Sequence, residues 1–167
     1  DAEGLSSSDV VAVSCTVPPV VTSNLTYPNP QTATEAQFSL HFAIAAIIEY
    51  GDIKLEHLTA EMVSSAPIKR LLPKIDVKVG DIPEPYRSSR LICPEWGYVD
   101  LTTQAGDRKC SFAGSPLGSA LRPMSDEVLK KKFNACAEYG NVNGPASALY
   151  DKILNVELLT NTRELFS

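Results

Sequence analysis

Acid/base chemistry near neutral pH falls first to histidine, and this sequence has two, His41 and His57. His41 lies inside an apolar stretch, FSLHFAIAAII, and His57 lies between two segments of helical pattern. A lone histidine in either setting packs or faces solvent more readily than it catalyses. No serine or cysteine stands in recognisable triad spacing, and there is no HExxH pair or Walker loop. The glycines at 114 and 118 in GSPLGSALRP could bend a backbone around an anion. No GK[ST] follows them and no GxGxxG follows a strand, so the stretch reads as a connector. The carboxylates are scattered. Asp126 and Glu127 sit where they would complement the dipole of a helix start. The four cysteines, Cys15, Cys93, Cys110 and Cys136, are too widely spaced for a CxxC metal or redox motif. Cys15 and Cys110 fall in strand-like runs and Cys136 in a helical one, as expected of small buried hydrophobes. Free thiols then imply a reducing, intracellular compartment, cytoplasmic or mitochondrial. These residues call for neither a metal nor an organic cofactor.

The chain that must position them has 167 residues, enough for one ordinary domain with a real core. Its apolar and charged fractions, 44% and 21%, suit a soluble globular protein. A net charge of −5 speaks against a nucleic-acid partner, which needs clustered Lys or Arg. The densest basic run, Lys130-Lys131-Lys132, adjoins Asp126 and Glu127 and reads as a solvated helix face. No apolar run reaches the ~20 residues of a membrane span. The opening DAEGLSSSD is not a secretory signal and lacks Met, so a cut, processed or partial chain is expected. Asn24-Leu25-Thr26 is formally a glycosylation sequon, but nothing else suggests secretion.

Residues 9–17, DVVAVSCTV, are rich in β-branched side chains and predict a strand. PPVVTSNLTYPNP follows, and its four prolines predict an extended loop without regular helix. Thr32 with Glu35 matches a capping box, and Gly51 suits a helix C-terminus, so residues 32–51 predict one helix of about 17 residues. From 42 to 48 its apolar side chains go round the whole circumference, which requires burial on most sides. Two short helices fit residues 55–72, with Thr59 and Ser65 as caps and Pro67 in a first turn. KIDVKV, residues 74–79, alternates like a half-buried strand, and residues 80–88 form a loop. Residues 98–103 and 109–112 make a hairpin around Gln104-Ala105-Gly106-Asp107. Ser125 caps a helix over 126–139, and Pro145 opens a last helical region to about residue 165, broken near Asn161. Strands do not alternate regularly with helices. The fold class is therefore α+β, with a small mixed or antiparallel sheet against a long buried helix and helices at the C-terminus.

TEAQFSLHFAIA, residues 34–45, resembles the "EAKFSLPYAIA" helix of the MmgE/PrpD family, which includes 2-methylcitrate dehydratase, cis-aconitate decarboxylase and iminodisuccinate epimerase. Further landmarks follow in family order. YPNP precedes the helix and Gly51-Asp52-Ile53 ends it. The hairpin tip Ala105-Gly106-Asp107, then Gly114-Ser115-Pro116, Pro123-Met124-Ser125 and Lys132-Phe133 resemble the family's tail. The likeness spans about residues 9–165. Gln37 replaces the lysine of "EAKFS", and His41 stands where proline is common, so no one member's substrate specificity carries over.

The resemblance implies that residues 1–167 are one α+β domain, the smaller C-terminal domain often called the lid, with 141–167 as closing helices. The all-helical N-terminal domain, which holds most catalytic residues in the family, is absent from this chain. The whole enzyme would dehydrate, decarboxylate or epimerise a small polycarboxylate without a cofactor, as a homodimer, and this chain alone would be inactive. The lid faces the cleft between its first strand and its long helix, which makes Thr22, Ser23, Asn24 and Tyr27 the candidate substrate contacts. A solvent-exposed loop is the plainer account of the same residues. Glu35 reads as a cap, and Phe38 and Ser39 as packing. Two rival readings stand beside this one: a stand-alone binding or assembly domain with the same fold, and a small free-standing enzyme that uses His41 or His57.

Overall fold

The structure, a computed structural model, describes residues 6–88, 92–142 and 145–166. The chain forms two compact units, residues 1–122 and 123–167. The first unit opens with β1 (Val10–Val17), whose uncharged VVAVSCTV suits a strand paired on both sides. Next come α1 (Pro19–Asn24), α2 (Ala33–Gln37) and α3 (Leu40–Tyr50). A 3-10 turn at Leu55–His57 leads to α4 (Ala60–Val63) and α5 (Ala66–Leu71). The strands β2 (Ile75–Val79), β3 (Gly97–Thr103) and β4 (Arg108–Ala113) complete one sheet of order β2-β1-β3-β4. β1 pairs parallel with β2, Val13 beside Ile75, and antiparallel with β3, Val13 beside Leu101. β3 and β4 form the expected hairpin, with Gly106 at φ 85° in its turn.

A parallel pair needs a crossover connection, and here the crossover contains α1 to α5. Strand alternation puts Val13, Cys15 and Val17 on one face of the sheet. That face shares a core with Phe42, Ala45 and Ala46 of α3 and with Ile68 and Leu71 of α5. The other face carries Ser14, Thr16, Tyr98 and Asp100, where Asp100 accepts paired hydrogen bonds from the Arg108 guanidinium. This is an α+β fold with a small mixed sheet against a buried helix.

Three local expectations need correction. First, the proline-rich segment is not extended throughout: Pro19 starts α1, because a first helical turn does not need the N–H that proline lacks. Second, the long helix is two helices. Phe38 and Ser39 leave helical geometry, and the Ser39 hydroxyl accepts the Phe42 N–H at 3.0 Å to start α3 afresh. Phe38, expected to pack, is 48% exposed. Third, only Cys15 is buried among the four free thiols, while Cys110 and Cys136 are exposed. The α3 circumference is covered at Phe42, Ile44, Ala45 and Ala46 but open at Ile47. Gly51 closes α3 in the left-handed region, φ 79°, as a helix-ending glycine does.

In the second unit, Ser125 caps α6 (Asp126–Tyr139) by accepting the Val128 N–H. α7 (Ala146–Leu154) packs against α6 through an edge-on contact of Phe133 and Tyr150 at 5.2 Å. Lys131 and Lys132 are exposed, whereas Lys130 lies over the Tyr150 ring and 4.0 Å from Asp151. The last helical region breaks first at Asn155, ahead of 3-10 turns at Val156–Leu158 and Thr162–Phe166.

Candidate functional site

The four candidate contacts leave the sheet at the C-terminal end of β1. Val17 is followed directly by Pro18 and Pro19, and the Gly80 N–H donates to the Val17 carbonyl at 3.2 Å. The end of β2 therefore lies beside the start of α1. At Gly80 a Cβ would come within 2.7 Å of the Thr16 Cγ2, so glycine permits the close approach. Val21 anchors α1 on the core. The Thr22 and Ser23 hydroxyls both donate to the Pro19 carbonyl, at 3.0 and 2.9 Å. Their protons are spent inside the helix, and only their lone pairs face outward. Asn24 and Tyr27 are exposed, with no side-chain partner among the described residues. They are the donors available to an anionic ligand.

A backbone hydrogen bond, Tyr27 N–H to the Phe38 carbonyl at 3.3 Å, fixes the Tyr27 loop to the break between α2 and α3. One turn further on is His41. Its Nδ1 is buried without a partner, and its Nε2 has none among the described residues. Burial holds the imidazole pKa below its ordinary value, and the Asp76 charge partly opposes this. At the far end of α3, Arg70 binds Ser7 at 3.2 Å and Glu49 at 3.3 Å, beside the start of β1. Thus the C-terminal end of α3 lies beside the start of β1, and the turn before its N-terminal end is tied to the Tyr27 loop.

His57 belongs elsewhere. It is buried, its Nδ1 accepts the Lys54 N–H at 3.2 Å, and its ring lies 4.7 Å from that of Tyr50. His41 and Tyr50 are separated by nine helical steps, about 14 Å. The two histidines cannot act on one reacting atom. Among the described residues there is no group of three or more His, Cys, Asp or Glu suited to a metal ion. On the open face of the sheet, the Arg108 hydrogen bonds hold the Asp100 carboxyl below its ordinary pKa. Tyr98, hydrogen-bonded to Cys110, is raised. The 114–122 connector closes on itself: the Gly118 N–H donates to the Arg122 carbonyl at 2.7 Å, and the Ser119 N–H to that of Pro116 at 3.2 Å.

A family model for the MmgE/PrpD C-terminal domain matches residues 1–154. The chain belongs to the MmgE/PrpD family. The match takes in the whole first unit and runs through α6 to Leu154, the last residue of α7. No curated protein sequence matches the chain significantly. Within this MmgE/PrpD domain, Thr22, Ser23 and Asn24 lie in α1, which follows β1 directly, and Tyr27 lies in the loop after it. Sequence reasoning weighed His41 only as the base of a free-standing enzyme; the Phe38 carbonyl ties the turn before it to the Tyr27 loop.

Proposed function

We propose that this chain is the lid-forming part of an enzyme that dehydrates, decarboxylates or epimerises a small polycarboxylate by acid/base chemistry beside a carboxylate. The family match over residues 1–154 carries this reading. It is supported by the separation of the two histidines: His41 lies in the first turn of α3, and His57 packs on Tyr50 at its far end. A separate helical domain supplies the acid and base. This domain closes over the substrate, excludes water and offers polar contacts from Thr22, Ser23, Asn24 and Tyr27. The assembled enzyme is an intracellular homodimer, its reaction needs no cofactor, and residues 141–167 form the closing helices.

The test compares residues 1–167 with the polypeptide that joins them to the helical domain, each offered 2-methylcitrate, cis-aconitate and iminodisuccinate. The joined polypeptide turns over one of these and residues 1–167 turn over none. Turnover by the short chain at a comparable rate, or by neither protein, overturns the reading.

A further inference from the structure

We propose that His41 is a substrate-binding residue of this site, its outward Nε2 donating a hydrogen bond to a carboxylate oxygen of the ligand. The inference rests on the polycarboxylate reading above and names a contact that reading leaves out. Two observations carry it. The imidazole is half-buried, with Nδ1 enclosed and unpartnered, and Nε2 neither enclosed nor paired among the described residues. The same helical turn is tied by the Phe38 carbonyl to the Tyr27 loop, so His41 stands one turn beyond the residue that holds that candidate contact.

An enclosed N–H without an acceptor costs more than an enclosed lone pair. The tautomer with its proton on Nε2 is therefore favoured, and that proton points toward solvent. Burial keeps the ring neutral, which suits a donor that must not recruit a bulk anion by charge alone. Among the described residues, the charge acting on the ring is Asp76 of β2, and α3 itself adds only Glu49 near its far end. A carboxylate on Nε2 would stabilise the imidazolium and raise its pKa. Ligand affinity therefore increases as pH falls through the imidazole range.

The experiment uses the polypeptide carrying both domains, with His41→Leu and His41→Gln. His41→Leu raises KM about tenfold, the size of one hydrogen bond to a charged group, while kcat stays nearly unchanged. His41→Gln, which keeps an N–H donor, recovers most of the affinity but flattens the pH dependence of KM. Citrate shifts the His41 ring resonances of the wild-type protein and raises their titration midpoint. An unchanged KM in His41→Leu at every pH overturns the inference while leaving the functional reading intact. If no polycarboxylate is turned over but citrate still moves the His41 resonances, the reaction falls and the binding contact stands. If citrate moves none of them, the contact falls too.

Discussion

Ser39→Ala is the sharpest perturbation of this fold, because it removes the group that splits the long apolar helix in two. Ser39 is 2% exposed, and its hydroxyl accepts the N–H of Phe42, itself fully enclosed at 0%. Losing an N-cap costs about 1 kcal/mol, and stranding an enclosed donor costs about 1–3 kcal/mol. Both figures describe the same bond, so the expected loss is about 2 kcal/mol rather than their sum. Alanine favours helix, and a continuous helix could return the Phe42 N–H to the Phe38 carbonyl. That carbonyl already accepts the Tyr27 N–H at 3.3 Å, so the rescue would release the Tyr27 loop. Trp96 is the single tryptophan and lies enclosed in the first unit, so its fluorescence follows the unfolding of that unit. With a urea m-value of about 1–3 kcal/mol per molar, the midpoint falls by about 1 M at unchanged m. Ser39→Asn, which keeps a capping acceptor, recovers much of the loss. A midpoint within about 0.2 M of wild type for Ser39→Ala would show that the break does not depend on this cap.

Phe42→Ala empties the centre of the core and lowers stability by about 3–5 kcal/mol in the same urea experiment. Gly51→Ala meets no atom within 4 Å but must hold φ near 79°, so thermal unfolding reports a loss of about 1 kcal/mol from backbone strain alone. The Asp100 carboxyl has a lower pKa in the folded chain than in the unfolded one, so its pairing with Arg108 stabilises above the ordinary carboxylate range and is lost as pH falls through the folded value. The stability gap between wild type and Arg108→Gln is therefore constant at neutral pH and closes below about pH 4, as acid titration of unfolding will show. Burial pushes the Cys15 thiol up to about 11, so alkylation followed by mass spectrometry labels Cys110 and Cys136 in the native protein and Cys15 only after unfolding.

Much of the architecture was legible because it rests on local chemistry. Thr59 and Ser125 cap α4 and α6 where their spacing places them, and the β3–β4 hairpin turns at its glycine. The Thr32–Glu35 capping box is only half made. Thr32 accepts the Glu35 N–H, but the Glu35 carboxylate reaches past Thr32 to the N–H of Gln31 at 2.6 Å. The split at Ser39 was not legible, because an apolar run looks continuous and the competing donor, the Tyr27 N–H, comes from a loop outside it. Cys110 and Cys136 share the local pattern of buried residues yet sit on open faces, since burial depends on which face a neighbouring element covers. For the site, chain order alone put Thr22 to Tyr27 after the first strand. It could not show that Thr22 and Ser23 spend their protons on Pro19. Nor could it show that the Phe38 carbonyl, one turn before His41, holds the Tyr27 loop.

The position of β1 has a consequence for the chain as it is made. In this sheet β1 is made before β2, β3 and β4 and is bonded on both edges, yet its partners β2 and β3 begin only at residues 75 and 97. Until then VVAVSCTV, uncharged and free of proline, exposes two rows of unpaired backbone groups, the profile of a segment that self-associates into cross-β stacks. A product truncated between these partners keeps one edge open for good. Slow elongation through residues 18–97 should therefore increase the demand for chaperones more than delay anywhere after the hairpin is complete.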